Sequence, residues 1–417
     1  MTRVSNRFST DLGGLFFHPD LSRLATGRKE SLFAPDIFAH KAQLHSAIGG
    51  RRILITGGAG SIGSATIELL FGYGPAVVHV ADIAENGLVE LVRDFRSRPT
   101  PLVSGEMRLL PIDYGSAAME RFLMSETPYD LVLHFAAHKH VRSEKDIPSI
   151  VQMFDTNVVK VRRFLSWLIA YGHAKSLFAV STDKAANPTS LMGASKRLME
   201  HILFSESGGA RHVTSARFAN VAFSNGSLLQ GFLFRLARRQ PIAVPREVRR
   251  YFVSAQEAGE ICLLSATLAP NGHITFPRLD PREHLRPLVD VATSLLELLG
   301  LRPTFYEDEA KACAATSTDL SQGRYPVLVT PLDTSGEKPY EEFVAVDEAP
   351  IHTEFLALDA VGYVPPTIPL DGALAFIENI AAKAGAAVTK SDIARHLAAL
   401  VPGFRHIETG RSLDDRT

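Results

Sequence analysis

The sequence predicts an α/β fold in which a doubly wound parallel sheet carries helices on both faces. Three observations support this prediction. Short apolar runs typical of buried strands alternate with longer helical patterns over residues 51–222. A glycine-rich stretch joins the first of these runs directly to a helical pattern. The spacing of the runs is that of successive strand–helix–strand units, whose crossovers place parallel strands side by side.

The predicted strands follow one another in a regular order. They are RRILIT, AVVHVAD, MRLLPID, YDLVLHFAA, SLFAVST and HVTSARFANV. Helical patterns such as SIVQMFDTNVVKVRRFLSWLIAYG separate them. Beyond about residue 222 the alternation becomes irregular, and glycine, proline and basic residues cluster. That change predicts a second, smaller region after the sheet.

Composition excludes several classes of protein. Hydrophobic residues make up 46% and charged residues 21% of the 417-residue chain, which suits a globular core. A net charge of −1 argues against broad capture of nucleic acid or an anionic membrane. No apolar stretch approaches the ~18 residues that span a bilayer. The two cysteines, Cys262 and Cys313, lack a metal-binding spacing. We therefore expect a cytoplasmic protein with neither a metal site nor a membrane span.

The stretch TGGAGSIG has the composition of a phosphate-binding turn. Gly57, Gly60 and Gly63 allow the backbone to turn tightly and approach a pyrophosphate, with Ser61 and Ile62 opening the following helix. The positive end of that helix favours the phosphate charge. The preceding strand and following helix supply the context that this motif requires. The sequence thus predicts a Rossmann-type dinucleotide site.

Residues at the ends of the next strands predict which dinucleotide binds. Asp82 ends the second strand, where its carboxylate can accept hydrogen bonds from ribose hydroxyls. No arginine follows it to receive a 2′-phosphate, so NAD is favoured over NADP. Asp113, with Tyr114 beside it, is placed to meet the adenine, although a strand-end cap explains Asp113 equally well. Ala136 and Ala137 offer small side chains at the end of the fourth strand, consistent with a cofactor or with close packing.

Several motifs together resemble a known family. TGGAGSIG, HFAAHKHV, STDKAANP, MGASK, RFANV and RRYF occur in the order seen in extended short-chain dehydrogenases/reductases. More narrowly, they resemble the nucleotide-sugar 4,6-dehydratases of the CapD-like polysaccharide-biosynthesis group. The loop TSGEKPYEEF and the leader GRKESLF resemble a subgroup acting on nucleotide-linked N-acetylglucosamine. The resemblance covers roughly residues 25 to 350.

The resemblance implies a dehydration with an internal redox cycle. UDP- or GDP-N-acetylglucosamine would be oxidised at C4, which acidifies the C5 proton, and NAD⁺ would accept the hydride. A base then takes the C5 proton, an acid helps the C6 hydroxyl leave, and the hydride returns to C6. The product would be a 4-keto-6-deoxy sugar for surface glycan or nonulosonate-type biosynthesis.

The resemblance also assigns the acid and the base. Lys184 would handle the C5 proton and Asp183 would protonate the departing C6 hydroxyl. Thr182, with Ser181 as a second candidate, would hydrogen-bond the C4 hydroxyl. Lys184 must be partly neutral to act as a base, and we expect burial and cationic neighbours to provide this.

A methionine stands where many nicotinamide-dependent relatives carry a tyrosine. Met192 cannot transfer a proton, and methionine at this position resembles one branch of the dehydratases, where it packs as an apolar side chain. Lys196, four residues on and on the same helix face, would hold the nicotinamide ribose. The group that takes the C4 hydroxyl proton stays open: Asp183, Thr182 with a water, or neutral Lys196.

Six polar side chains are candidates for the sugar and the diphosphate, with a solvated surface position as the alternative for each. They are Lys139, His140, Asn220, Arg249, Arg250 and Lys338. Glu337 and Glu341 either orient these cations or face water. Asn157 resembles the helix asparagine that stabilises the active-site strand in the superfamily.

The predicted organisation has four regions. They are an N-terminal extension (1–50), an NAD-binding Rossmann domain (51–222), a mainly C-terminal substrate-binding region with some return to the core (223–402) and a frayed polar tail (403–417). By resemblance we expect a homodimer or higher homo-oligomer. Two other functions remain: a nucleotide-sugar C4 epimerase or oxidoreductase, and a non-catalytic NAD-binding sensor or scaffold.

Overall fold

The computed structural model describes residues 20–98, 105–139, 144–205, 212–333, 335–366, 369–382, 388–401 and 403–409. The strands are β1 (Arg52–Thr56), β2 (Val77–Ala81), β3 (Glu106–Leu110), β4 (Leu131–His134), β5 (Ser176–Thr182), β6 (His212–Phe218), β7 (Asn220–Val221), β8 (Ile242–Pro245), β9 (Arg249–Val253), β10 (His273–Pro277), β11 (Leu285–Pro287), β12 (Arg302–Tyr306), β13 (Arg324–Thr330), β14 (Pro350–His352) and β15 (Leu358–Gly362).

The helices alternate with these strands through the first half of the chain. They are α1 (Leu21–Thr26), α2 (Ala34–Ala39), α3 (Lys41–Ile48), α4 (Ser61–Phe71), α5 (Glu85–Ser97), α6 (Ala117–Ser125), α7 (Ile147–Phe154), α8 (Lys160–Ala170), α9 (Leu191–Ser205), α10 (Leu228–Ala237), α11 (Ala255–Thr267), α12 (Pro281–His284), α13 (Leu288–Leu298), α14 (Glu309–Ser321), α15 (Leu370–Ala382) and α16 (Lys390–Leu400). A π-helical turn (Asp155–Val159) joins α7 to α8, and a 3₁₀ turn (Asp183–Ala185) follows β5.

A nine-stranded sheet forms the centre of the molecule and confirms the predicted fold class. Its order is β14-β15-β10-β6-β5-β4-β1-β2-β3. The pairings from β3 through β10 are parallel, and β15 and β14 add antiparallel pairings at one edge. The strand order reverses between β1 and β4, which is where doubly wound sheets open a ligand crevice at the carboxyl ends of the strands.

A second hydrophobic core lies under the smaller region. It joins α10 and α13 to two three-stranded sheets, β11-β9-β7 and β12-β13-β8. Leu21 and Ala25 of α1 are buried in this core, so α1 packs on the C-terminal half of the chain, whereas Leu44 and Ile48 of α3 belong to the main core. The boundaries of the four predicted regions, and the homo-oligomer, stay predictions.

The leader GRKESLF is anchored by a buried ion pair. Arg28 donates two hydrogen bonds to the carboxylate of Glu257, at 3.0 and 2.7 Å, and a third to the carbonyl of Phe252. Glu257 also forms a capping box with Ser254 at the start of α11. Ser31 donates to Glu260 on the same helix. These contacts give the leader a structural role: it ties the chain start to α11.

The chain after α16 differs from the frayed tail that we expected. Phe404 is buried, and the amide of Arg405 donates to the carbonyl of Pro188 at 3.2 Å. The amide of Ile407 donates to Thr189, and its carbonyl accepts from Gly336. Residues 403–409 therefore lie along the loop that follows β5, while residues 410–417 are outside the described part. Within the described ranges, no helix combines the length and apolar character that crossing a membrane requires.

Candidate functional site

The glycine turn after β1 is shaped by close contact with the end of β4. Gly57 has φ +75°, and a Cβ there would lie 2.3 Å from the backbone nitrogen of Ala136. A Cβ on Gly63 would lie 2.7 Å from the Gly57 carbonyl oxygen. At Gly60 the nearest atom would be 3.5 Å away, so the protein's own packing does not require glycine there. A phosphate resting on the helix N-terminus would require it, which makes the turn a good fit for a dinucleotide.

Asp82 is fixed beside this turn. Its carboxylate accepts hydrogen bonds from the amides of Ala59 and Ala84, each at 2.9 Å. Ala59 belongs to the glycine turn, so Asp82 joins the end of β2 to the phosphate site. Each oxygen keeps lone pairs that ribose hydroxyls can use. Ser61 and Ile62 are half-buried at the start of α4, and Ala136 and Ala137 are half-buried after β4.

Asp113 and Tyr114 have partners within the protein. Asp113 accepts from Lys160 at 2.6 Å and from the amide of Gly115 at 2.9 Å, as a strand-end cap would. Tyr114 is buried and donates its hydroxyl to the carbonyl of Thr156. Burial raises the pKa of this phenol well above its usual value. The structure therefore gives both residues a packing role, and their contact with adenine stays a prediction.

The candidate acid and base lie at the carboxyl end of β5. The Thr182 hydroxyl donates to Asp183 Oδ1 at 2.9 Å, and Lys184 Nζ donates to the same oxygen at 3.0 Å. Asp183 is 2% exposed, and its second oxygen, Oδ2, is buried without a hydrogen-bond partner among the described residues. An unpaired buried carboxylate oxygen is costly, about 1–3 kcal/mol or more. Because Oδ2 is buried, a ligand hydroxyl would satisfy it only after neighbouring groups move aside.

Lys184 carries a charge that differs from our expectation. Burial disfavours its ammonium, but the carboxylates of Asp183 and Glu341 outweigh burial and raise the pKa of Lys184. Arg250 opposes them and acts in the expected direction, but it does not prevail. Lys184 is therefore cationic in the ligand-free protein. To act as a base it must first pass its proton to another group.

The pKa of Lys196 shifts in the opposite direction to that of Lys184. It is 5% exposed on α9 and donates to the carbonyl of Val180 at 2.8 Å. Burial lowers its pKa to about 8, although Glu200 acts to raise it. Met192, one turn earlier, is 3% exposed, and its amide donates to Glu144 at 3.0 Å. The methionine thus packs as an apolar residue, as we expected.

Asn157 connects the end of β4 to α9. Its side chain accepts from the amide of His138 and donates to the carbonyl of the same residue, both at 2.8 Å. It also donates to the Ser195 hydroxyl at 2.9 Å. The π-helical turn that carries Asn157 is a feature often found at functional sites. Asn157 fixes the backbone beside Lys196, in line with the role implied by resemblance.

A buried network of four charges lies behind the acid and base. Arg217 is fully buried and donates to both oxygens of Glu200, at 3.0 and 2.8 Å, and to both oxygens of Glu348. Arg197 contacts both carboxylates as well. Burial would raise the pKa of Glu200, but the two arginines outweigh it and hold it at about 2. Ser181 donates to Glu200 at 2.6 Å, which ties the network to β5.

The sequence offered little sign of this network. Its members come from α9, β6 and the segment after residue 340, so their charges are far apart in the chain. In the structure, all residues of α9 from Leu191 to Phe204 are buried, and Arg197 and Glu200 are among them. A charge in so apolar a helix needs a partner.

Residues 335–348, here called the 335–348 loop, cover the acid and base. Lys338 donates to the carbonyl of Asn187, in the loop after β5. Arg250 donates to the carbonyls of Lys338 and Pro339, each at 3.0 Å, and therefore holds this loop. Glu341 is 5% exposed and lies between two lysines, 3.8 Å from Lys184 Nζ and 3.9 Å from Lys338 Nζ.

The remaining substrate candidates lie on several different loops and strands. Lys139 donates to the carbonyl of Asn225 at 2.6 Å, and Asn220 donates to Tyr251 at 3.4 Å. Arg249 is exposed. His140 lies outside the described residues. Arg286 on β11 lies opposite Arg250 on β9 in the antiparallel strand pairing. It adds a cation that is absent from the residues predicted from the sequence.

Comparison with known proteins finds several relatives. A Methanocaldococcus jannaschii protein described as an uncharacterized membrane protein is 28% identical over 72% of this chain and 81% of its own length. The capsular polysaccharide biosynthesis protein CapD of Staphylococcus aureus is 28% identical over 60% of this chain, which spans only 41% of CapD. A Campylobacter jejuni UDP-N-acetylglucosamine 4,6-dehydratase (inverting) is 28% identical over 55% of this chain and 67% of that enzyme.

Solved structures share the fold. Pen from Bacillus thuringiensis superposes with a TM-score of 0.60 at 21% identity, covering 77% of this chain and 89% of Pen. The Bordetella bronchiseptica enzyme WbmF, solved with NAD⁺ and UDP, gives 0.50 at 18% identity over 61% of this chain and 79% of its own. Residues 53–358, most of the chain, match the family of polysaccharide biosynthesis proteins. The chain belongs to this polysaccharide biosynthesis family of extended short-chain dehydrogenases/reductases.

Proposed function

We propose that this protein is an NAD-dependent nucleotide-sugar 4,6-dehydratase that converts UDP- or GDP-N-acetylglucosamine to the 4-keto-6-deoxy sugar. One observation carries the proposal. Asp183 shares one carboxylate oxygen between Thr182 and Lys184, while its other oxygen is buried and has no partner in the part of the chain that the structure describes. An elimination needs an acid and a base side by side, and this group supplies both.

The protein's residues fit a bound dinucleotide. The glycine turn would hold the pyrophosphate, Asp82 the adenosine ribose and Lys196 the nicotinamide ribose. When bound there, NAD supplies the oxidant for C4 and the reductant for C6 within one turnover. The fold neighbour WbmF, solved with NAD⁺ and UDP, supports this assignment by shared fold.

The hydrogen bond between Thr182 and Asp183 gives the C4 hydroxyl proton a route. The Thr182 hydroxyl would accept that proton while passing its own along the 2.9 Å hydrogen bond to Asp183 Oδ1. Oxidation at C4 then leaves Asp183 protonated. A protonated Asp183 is the acid that the C6 hydroxyl needs in order to leave, so the first step prepares the second.

The alternatives account for fewer of these residues. A C4 epimerase needs no acid and base beside C5 and C6, and it usually relies on the tyrosine that Met192 replaces. A non-catalytic NAD-binding scaffold gives no reason to keep Thr182, Asp183 and Lys184 hydrogen-bonded to one another. The geometry therefore favours the dehydratase.

Product mass separates the three functions. We expect the purified protein, incubated with UDP- or GDP-N-acetylglucosamine, to yield a product lighter by one water. Thr182→Val serves as the matched control, because it removes the hydroxyl of the proposed proton route and keeps the side-chain shape. An isobaric product would indicate the epimerase, and no change with any nucleotide sugar would indicate the scaffold.

The pH dependence of C4 oxidation tests the proton route. The rate of 4-keto sugar formation is measured in a single turnover by trapping the product with borodeuteride. If Thr182 and Asp183 take the C4 proton, this rate is expected to stay level over roughly pH 6.5 to 8.5. If neutral Lys196 took the proton, the rate would rise about tenfold per pH unit below its pKa of about 8 and level off above it. A rise of that form would exclude the Thr182 route.

A further inference from the structure

We propose that Glu341 is the proton partner of Lys184: it takes the ammonium proton after C4 is oxidised and leaves Lys184 neutral to deprotonate C5. This inference rests on the proposed function and extends it to a residue from the C-terminal half of the chain. Glu341 acts through Lys184, so its role is to set the charge of the base.

The position of Glu341 supports this role. Its carboxylate is buried, with Oε1 3.8 Å from Lys184 Nζ and Oε2 3.9 Å from Lys338 Nζ. Both gaps are longer than a hydrogen bond, so a small closure of the 335–348 loop, or one bridging water, would connect Glu341 to Lys184. Arg217 donates to the carbonyl of Phe343, which anchors this loop to the buried charge network.

The charges around Lys184 make a second proton acceptor necessary. In the ligand-free protein Asp183 and Glu341 together keep Lys184 cationic. Once Asp183 has taken the C4 hydroxyl proton, it can no longer accept the proton of Lys184. Glu341 is then the carboxylate that remains beside the ammonium. Lys338, 3.9 Å from Glu341, and Arg250, which acts on Lys184, are the cations beside this group.

The protons balance through the whole cycle. The resting group is Asp183⁻, Lys184⁺ and Glu341⁻, with one net negative charge. The C4 hydroxyl proton neutralises Asp183, and the proton of Lys184 moves to Glu341. Neutral Lys184 takes the C5 proton, and Asp183 gives its proton to the departing C6 hydroxyl, which leaves as water. When C6 has been reduced, Lys184⁺ returns its proton to C5, and Glu341 reprotonates Lys184. The group is then as it began.

Glu341→Gln tests the inference because glutamine keeps the shape and cannot accept the proton. We expect this variant still to oxidise C4, which borodeuteride trapping of the 4-keto sugar would detect. Exchange of the C5 proton with deuterated solvent should slow by about 10²-fold. In the wild type the exchange rate should not change with pH near neutrality, because Lys184 passes its proton to Glu341 within the site. In the variant Lys184 must lose its proton to solvent, so the residual rate should rise about tenfold per pH unit.

Two further variants control this experiment. Glu341→Asp keeps a carboxylate and should recover a large part of the rate and the level pH profile. Asp347→Asn removes an exposed negative charge nearby in the chain and should behave as wild type. Wild-type exchange in Glu341→Gln would overturn the inference. So would a slower rate with an unchanged pH profile, because that would show a structural role alone.

A measurement without substrate separates this inference from the proposed function. Competitive acetylation of Lys184 across pH, read by mass spectrometry, should show its pKa lower in Glu341→Gln than in wild type by about one pH unit. If wild type makes no keto sugar from any nucleotide sugar, the proposed function fails. An unchanged Lys184 titration would overturn the coupling to Glu341 whatever the reaction proves to be.

Discussion

Lys184→Ala is expected to abolish dehydration, with a loss of at least about 10³-fold in product formation. The variant removes the group that takes the C5 proton but leaves the hydrogen bond between Thr182 and Asp183 in place. Oxidation at C4 should therefore continue, and the 4-keto sugar should be trapped by borodeuteride. The measurement is solvent deuterium at C5, by mass spectrometry or NMR.

Lys184→Arg distinguishes a base from a cation. Arginine can pair with Asp183 and Glu341, but it stays protonated at any working pH. We expect this variant to fold normally and to remain inactive. Full deuterium incorporation at C5 in Lys184→Ala would contradict the assignment, and wild-type activity in Lys184→Arg would show that only the positive charge matters.

Arg217→Leu is expected to have the largest effect on stability, lowering the free energy of unfolding by about 3–5 kcal/mol. The substitution leaves Glu200 and Glu348, both buried, with Arg197 as their remaining arginine partner. Urea unfolding followed by circular dichroism measures the loss. Arg246→Leu is the matched control, because its ion pair with Glu307 is exposed and should contribute less than about 1 kcal/mol.

A second substitution addresses what the network does. Arg217→Lys keeps the charge and loses the forked pair of contacts, so an intermediate loss of stability is expected. If the free energy of unfolding of Arg217→Leu lies within about 1 kcal/mol of the wild-type value, the buried network contributes little to stability. That result would contradict the expected loss.

The sheet and the acid–base group could be predicted from the sequence because their signals are local. The runs RILIT and VVHVA form parallel strands that are almost entirely buried, and strands of this kind are nearly continuous apolar runs. The turn TGGAGSIG shows its glycine spacing within eight consecutive residues, although the contact that requires glycine at Gly57 comes from Ala136 at the end of β4. Thr182, Asp183 and Lys184 are consecutive, so one 3₁₀ turn after β5 brings them together.

The partners of this group could not be predicted in the same way. Glu341 lies far along the chain from Lys184, and the sequence alone left it either orienting a cation or facing water. Whether a charged residue is buried depends on what the rest of the fold places over it. The expected neutral Lys184 was wrong for this reason, because Asp183 together with the buried Glu341 outweighs burial and the cation Arg250.

The hydrogen bonds between residues 405–407 and the loop after β5 set an order of events during synthesis. The glycine turn, β5 and α9 all lie in the first half of the chain and are synthesised before the second half. Pro188 and Thr189 cannot gain these contacts until residue 407 has emerged from the exit tunnel. A nascent chain that has already formed its sheet would therefore still lack the finished geometry around Asp183 and Lys184. Activity should therefore appear only after residues 405–407 have joined the fold.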